Sequence, residues 1–477
     1  MKAKELRIYS NRSLNLADIK LVGFDMDYTI ARYKQEAFEN LAFQATLKKF
    51  LEAGYPEELS QLKYKPHFLK RGLLVDRKRG NILKADTHKY IKHGYHGHKI
   101  ISKEERRKLY NTSSFRAHTF LSIDTFFELS EVQLFAEIVD FMNENPGKIK
   151  KDFEEIYQDL RYFIDLSHQD NSIKDEVIAN PEKYIDVDME LANTLIHLIE
   201  SEKSLFLLTN SNFQYTQCIM SFLLDGKNDD FPKWQDYWDI LIVSSNKPSF
   251  FTSAEPFYEV EEETKKLKPH KKNFLPHKFY HGGNARLFEK MTGYVGDEIL
   301  YAGDHIYGDI VRSKETVNWR TLLLVPELEI EIPIQENQKI LLTKIKKLIQ
   351  SKERLEEISQ YIQSKININN KFIKKHSLNS SLCKMFSATT DKLKDKLSST
   401  ELRLQIINKK IKELTREKEK EIHPIWGSIM NTGLEHSRFA KQVIQHACLY
   451  TSKITNLKNY SPFKKFVSFH ERMPHEF

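Results

Sequence analysis

The chain has 477 residues, 40% of them hydrophobic and 29% charged; this is more than one core normally serves, so two or three folded domains are expected and a disordered chain is excluded. The net charge of +8, from 74 Lys plus Arg against 66 Asp plus Glu, is spread in both signs along the sequence, which reads as a solvated surface, not a nucleic-acid footprint, and no run of ~18 apolar residues offers a membrane span. Cys218, Cys383 and Cys448 are too sparse for a disulfide framework, and the opening MKAKELRIYSNRSL has no apolar leader-like stretch, so a reducing, cytoplasmic setting is expected.

In chain order, the first strong element is the apolar run Leu21–Phe24, which ends in Asp25-Met26-Asp27-Tyr28-Thr29. Two carboxylates ~4 Å apart repel by roughly 4 kcal/mol at an effective dielectric of ~20. A hard divalent cation with oxygen ligands is the usual offset. Residues 33–184 are too many for a simple crossover and are expected to form a separate, mostly helical cap, with helical patterns at Val132–Glu144 and Phe153–Leu166. Four further runs read as buried parallel strands: Ser204–Leu208, Ile240–Val243, Ile299–Ala302 and Thr321–Val325. Helical patterns at Asp188–Ser201 and Asn212–Leu224 lie among them, so the fold class is α/β with a doubly wound parallel sheet.

After Pro333 the texture changes. Leu341, Leu348, Leu355 and Ile362 recur every seven residues, and Leu397, Leu404 and Ile411 repeat that spacing, which predicts a long antiparallel helical hairpin that packs on itself or on another subunit. The aromatic-rich segment from Gly433 is expected to return to the core. The expected division is a core from 1–32 and 185–335, a cap from 33–184, a hairpin from 336–432 and a C-terminal segment from 433–477.

Ligands of such sheets sit beyond the carboxyl ends of the strands, where this chain places Asp25 and Asp27, then Thr209 and Asn210, then Lys247, then Asp304 and Asp309. These are the parts of phosphoryl transfer. Asp25 is the candidate nucleophile and Asp27 the candidate general acid and base. Thr209 and Asn210 suit phosphate oxygens, Lys247 suits developing negative charge, Asp304 suits a divalent cation, and Asp309 suits its outer sphere. Singly, each has a plainer reading: Asp-x-Asp is common, Thr-Asn is often a helix cap or turn, and Gly-Asp-His is often a turn. Their ordered recurrence after four apolar strands is what points to chemistry.

The order Asp-x-Asp-x-Thr, Thr-Asn-Ser, Lys, Gly-Asp-x-x-x-x-Asp resembles the haloacid dehalogenase superfamily of phosphatases. The runs GFDMDYTIARY, LLTNSNFQYT, NKPSFF, YAGDHIYGDI, WRTLLLVPEL and FAKQVIQHACLY, with the ending MPHE, are similar to the cytosolic purine 5′-nucleotidase family, which prefers IMP and GMP. The resemblance implies an Mg2+-dependent phosphohydrolase working through a phospho-aspartate on Asp25, with Asp25, Asp27 (through its backbone carbonyl) and Asp304 at the metal, and with phosphotransfer to nucleosides as a companion activity. It further implies that RYFIDLSHQDNSIK recognises the base, with Arg161, Asp165, His168 and Lys174 on purine-contacting positions and Phe127 stacking on the ring. Spacing alone also fits Arg161 and Asp165 as an ordinary i, i+4 ion pair.

The family is activated by purine nucleotides at a second site and forms tetramers, so a nucleotide effector and a homo-oligomer are implied. Gln442 matches the effector region, whereas Gln445 and His446 stand where a basic residue and an aromatic are usual, and Gln169 stands where an aromatic is usual. Two other readings are open: a phosphatase of the same superfamily for another ester, and a non-enzymatic scaffold using the helical arm. His88, His93, His96 and His98 crowd one stretch; a transition-metal site and a polar cap loop both fit, and the lack of a nearby cysteine favours the loop.

Overall fold

A computed structural model describes residues 3–110, 120–375 and 381–468; the MPHE ending lies outside them. Ten strands form one sheet. In chain order they are β1 (Tyr9–Ser10), β2 (Leu21–Phe24), β3 (Ser204–Leu208), β4 (Ile240–Val243), β5 (Phe257–Val260), β6 (Leu267–His270), β7 (Phe279–Gly282), β8 (Ile299–Gly303), β9 (Arg320–Leu324) and β10 (Leu449–Thr451). Across the sheet the order is β1-β10-β9-β8-β2-β3-β4-β7-β5-β6. From β10 to β7 every neighbour is parallel, while β1 and the β5–β6 hairpin add antiparallel edges. The protein is therefore a mixed α/β structure around a large, mainly parallel sheet.

The five expected core strands are present, with Ile299–Gly303 one residue longer and Arg320–Leu324 one residue earlier than expected. Two parallel strands were not anticipated, Phe279–Gly282 and Leu449–Thr451. Their short, partly polar sequences FYHG and LYT carry no apolar run to betray them.

Strand β2 sits in the middle, between β8 and β3. All four of its residues are buried, which is why it reads as continuous apolar sequence. A side chain at Gly23 would meet the Phe206 ring 2.0 Å away. That ring is wedged by Phe288, Trp319 and Tyr301, with centroids at 4.8, 5.8 and 6.0 Å, so it has nowhere to go.

In 33–184, the helices Gln35–Glu52, Phe127–Glu144 and Phe153–Gln169 pack together. The last starts with a capping box between Asp152 and Glu155. The same stretch also carries a five-stranded antiparallel sheet of Leu74–Asp76, Asn81–Ala85, Ile91–His96, Lys99–Ile100 and Leu121–Ser122. A mostly helical cap was expected, and the sheet escaped notice because its strands interleave Lys84, His93 and His96 among few apolar residues.

By contact density the chain divides into two compact units, one of Met1–Ile330 with Ile429–Phe477, the other of Glu331–Ser428. Within the second, the helices Lys339–Lys375 and Ser381–Ile422 lie along each other as a hairpin. Phe372 meets Phe386 at one end with centroids 4.4 Å apart, and Gln338 donates to the Lys418 carbonyl at the other. No helix among the described residues is long and apolar enough to cross a membrane.

Gly23→Ala is expected to cost about 1–3 kcal/mol by overpacking the sheet centre, measured as a lower denaturation midpoint with unchanged slope. Buried Glu39, which accepts a hydrogen bond from the Tyr64 hydroxyl at 2.7 Å, is pushed by burial up to about 7 from an ordinary 4.5. The folded chain then holds a proton that the unfolded chain releases between these values, so stability falls as pH rises through that window. Glu39→Gln should flatten this fall and exceed wild type above pH ~7, on the order of 2 kcal/mol, in melts run from pH ~4.5 to ~8.

Candidate active site

The C-terminal ends of β2, β3 and β8 bring the candidate residues together. β2 delivers Asp25 and Asp27, each 8% exposed. Tyr28 follows with φ of +57°, and Ser244 and Asn246, just before Lys247, have φ of +47° and +59°. Left-handed backbone at three non-glycine residues is costly and concentrates where geometry is imposed by function. After β8, Ile306–Val311 makes a π-helical turn that carries Asp309 back over the strand end. A side chain at Gly303 would lie 2.4 Å from the Asp309 carboxylate, so only glycine admits this fold-back.

Lys247 is the hub. Its ammonium lies 2.8 Å from Asp25 Oδ1, 2.8 Å from Asp309 Oδ1 and 2.7 Å from the Tyr301 hydroxyl. Burial opposes its charge, but Asp25 and Asp309 outweigh burial and hold the ammonium above its usual range. Asp25 Oδ1 also accepts the Met26 N–H at 2.8 Å. Burial, with Asp309 and Asp27 adding to it, pushes the Asp25 carboxyl up to about 7 although Lys247 pulls the other way. Asp27 is fixed at both oxygens: the Tyr33 hydroxyl donates to Oδ1 at 2.6 Å and the Ser211 hydroxyl to Oδ2 at 2.7 Å. Tyr33 in turn lies 2.7 Å from the Tyr215 hydroxyl. Burial raises Asp27 as well, against these two hydrogen bonds and the positive charge of Lys174.

Thr209 is buried and accepts the Ser211 N–H at 3.0 Å. The Asn210 side chain is occupied by the lysine loop: it accepts from the Lys247 N–H at 2.6 Å and the Ser245 hydroxyl at 3.0 Å, and donates to the Lys247 carbonyl at 3.0 Å. These bonds tie Asn210 to the Lys247 loop and use one of its two amide hydrogens.

Oxygens of Asp25, Asp304 and Asp309 lie within 4.8 Å of one another, and all three residues are buried. Asp304 Oδ2 is buried without a hydrogen-bond partner, and burial pushes its carboxyl well above the carboxylate range. A donor set of hard oxygens, short of positive charge and with an orphaned lone pair, fits a small divalent cation. The same test applied to His88, His93, His96 and His98 finds no such set among the described residues. His96 pairs with Asn81 and Asn143, and His98 with Asp140 and Gln133, which is a structural network of polar side chains.

Of the candidate base residues, Phe127 packs against Tyr28 and Tyr33. The Phe127 ring is 5.0 Å from Tyr28, 6.3 Å from Tyr33 and 6.2 Å from His168. Burial, together with Lys174 and Arg161, depresses His168 to about 4, so its imidazole is neutral. Arg161 does pair with Asp165, and it is also anchored to Glu131 at 2.6 Å. Gln442, Gln445 and His446 lie on the helix Arg438–His446; His446 faces Glu315 at 3.6 Å, and Arg12 and Lys314 donate to the Gln445 carbonyl. None of the three is hydrogen-bonded or ion-paired to the carboxylate cluster.

Sequence reasoning missed Arg71, which is 1% exposed. Its guanidinium donates to the Asp304 carbonyl at 2.7 Å and the Leu324 carbonyl at 3.2 Å, and forms a two-pronged pair with Glu327 at 2.9 and 2.7 Å. It also stacks 4.2 Å from the centre of the Phe126 ring, whose neighbour is Tyr28 at 4.8 Å. Only the pairing of Lys70-Arg71 with a following glycine and apolar strand hinted at a buried cation. Arg71→Met should destabilise the chain by about 3–5 kcal/mol, since it strands Glu327 in the interior; chemical denaturation measures this, and adding Glu327→Leu should recover part of the loss.

The sequence profile of the 5' nucleotidase family matches residues 8–477. A 5'-nucleotidase domain-containing protein of Dictyostelium discoideum is 28% identical over 479 residues, covering 98% of this chain and 75% of the relative. Among solved structures, a predicted phosphoglycolate phosphatase from Haemophilus somnus aligns over 65% of this chain and 86% of its own at 13% identity, with a TM-score of 0.27, too low to carry an argument. On the profile match across almost its whole length, the chain belongs to the 5' nucleotidase family.

Proposed function

We propose that the chain hydrolyses purine nucleoside 5′-monophosphates, IMP and GMP foremost, with Mg2+ as its metal and a phosphate carried transiently on Asp25. In this reading 1–32 and 185–335 are a haloacid dehalogenase-like core, 33–184 is the substrate-recognising cap, 336–432 is the hairpin extension and 433–477 packs back on the core. The observation that carries it is the convergence of Asp25, Asp304 and Asp309 on one point, with Lys247 bridging two of them, in a member of the 5' nucleotidase family.

Asp25 Oδ1 is engaged by Met26 and Lys247, which leaves Oδ2 to attack phosphorus. The bond from phosphorus to the nucleoside 5′ oxygen breaks, and Asp27 gives its proton to that departing oxygen. Asp27 then takes a proton from water as the water attacks the phospho-aspartate, releasing inorganic phosphate and restoring Asp25. Tyr33 and Ser211 hold Asp27 in place for both transfers. Lys247, Thr209 and Asn210 face the phosphate, Asn210 also securing the lysine loop. Asp25, Asp304 and the Asp27 backbone carbonyl would hold Mg2+, with Asp309 in its outer sphere; bound there, the ion supplies positive charge to the phosphate oxygens and to the acidic cluster.

Phe127 stacks on the base, neutral His168 faces it with an imidazole that can accept as well as donate, and Arg161, Asp165 and Lys174 complete the polar edge. An added nucleoside competing with water for the phospho-aspartate gives phosphotransfer. Activation by a purine nucleotide near Gln442, Gln445 and His446, a homo-oligomeric assembly and a cytoplasmic setting belong to the same reading.

Asp25→Asn should lower phosphate release from IMP by at least a hundredfold while IMP still binds. Assays with and without Mg2+, with IMP beside glucose 6-phosphate, separate this reading from its rival: equal turnover of the two esters would favour a phosphatase of broader or different substrate. Retained turnover in the Asn variant would remove Asp25 from the nucleophile's role.

A further inference from the structure

Ser211 and Tyr215 hold the candidate acid and base from two sides, and one short stretch of chain supplies both. Ser211 lies just past β3 and donates to Asp27 Oδ2 at 2.7 Å. Asn212 follows and caps the helix Phe213–Leu224, accepting the Tyr215 N–H at 2.9 Å. That cap fixes the first helical turn, and Tyr215 with it. The Tyr215 hydroxyl lies 2.7 Å from that of Tyr33, which itself lies 2.6 Å from Asp27 Oδ1. Asp27, Tyr33, Ser211 and Tyr215 are all buried.

The direction of these bonds follows from which groups have a hydrogen to give. An ionised Asp27 has none, so Tyr33 donates to it and the Tyr33 oxygen is left to accept from Tyr215. Among the described residues the Tyr215 hydroxyl has no other hydrogen-bond partner. Running the chain backwards would leave its hydrogen buried and unmet. Tyr215 thus donates to Tyr33, and Tyr33 to Asp27. Each bond polarises the next, so Tyr215 strengthens the bond that reaches the carboxylate. With Tyr33 on one oxygen and Ser211 on the other, the proton that Asp27 carries as an acid is confined to the lone pairs that neither hydroxyl fills.

We propose that Tyr215 is a positioning residue for proton transfer by Asp27, acting through Tyr33. This rests on the reading of Asp27 as the acid of phosphate-ester cleavage. The step served is the first: a bond from Asp25 to phosphorus forms, the bond from phosphorus to the 5′ oxygen breaks, and the Asp27 proton goes to that oxygen. A departing alkoxide needs this proton. A departing thiolate does not, since a thiol ionises at a pH of about 8.5.

The test compares IMP with the 5′-S-phosphate of 5′-thioinosine, in which sulfur replaces the 5′ oxygen. Single turnovers with Mg2+ and full-length enzyme in excess make nucleoside release report the first step alone. Tyr215→Phe should slow inosine release from IMP about fivefold and Tyr33→Phe roughly tenfold or more, at an unchanged half-saturating enzyme concentration. Both variants should release the thionucleoside at the wild-type rate, which a loosened site would not. The double variant should be no slower than Tyr33→Phe, since Tyr215 acts only through Tyr33. Asp27→Asn is the reference: it should nearly abolish release from IMP and spare the sulfur analogue. Suppose Asp27→Asn shows that contrast, while Tyr215→Phe leaves IMP untouched, slows both substrates alike, or adds its full effect to that of Tyr33→Phe. The proposal is then overturned and the acid reading stands. Equal slowing of both substrates by Asp27→Asn removes Asp27 as the acid, and the proposal falls with that reading.

Discussion

Crowding of negative charge governs this protein. Asp25, Asp27, Asp304 and Asp309 are all buried at the ends of adjacent strands, and Glu327 lies just beyond. Against these five carboxyls the interior sets two permanent cations, Lys247 and Arg71. Such an imbalance would push the carboxyls to take up protons, as the raised values of Asp25 and Asp304 reflect. The surrounding structure is what makes the arrangement tolerable: left-handed backbone at Tyr28, a π-helical turn at Asp309, and hydroxyls from Tyr33 and Ser211 on Asp27 and from Tyr301 on Asp309. A tightly held acidic cluster of this kind is a stored demand for positive charge, which a small divalent cation would meet.

Much of the site was legible in sequence because its bearers are short and local. An apolar run followed at once by Asp, Thr or Gly-Asp names both a strand and the residue at its end, and β2, β3 and β8 each obey that grammar. Lys247 needed only one further step, because it follows β4 by a few residues. Parallel strands buried on both faces leave continuous apolar sequence, so the core sheet was readable too.

What stayed hidden has a common physical form. Arg71, Ser211 and Tyr215 act through contacts with partners far away in the chain, Arg71 with Glu327, Ser211 with Asp27 and Tyr215 with Tyr33, and no local pattern encodes such pairings. The antiparallel sheet of 33–184 was missed because strands like Ile91–His96 alternate partly buried polar residues with few apolar ones. Asn210 also holds the lysine loop through the Lys247 N–H and carbonyl, a contact 37 residues away that no local pattern encodes.

Arg71 has a bearing on how this protein can change over evolutionary time. It lies between β2 and β3 in the chain, but its hydrogen bonds end on the carbonyl of Asp304 just past β8, on that of Leu324 at the end of β9, and on Glu327. Residues 33–184 and the sheet accordingly fall in one compact unit. A segment wired this way is not an interchangeable module. A foreign segment grafted in its place would have to import an arginine at the same spot, or lose the anchor under the Asp304 backbone.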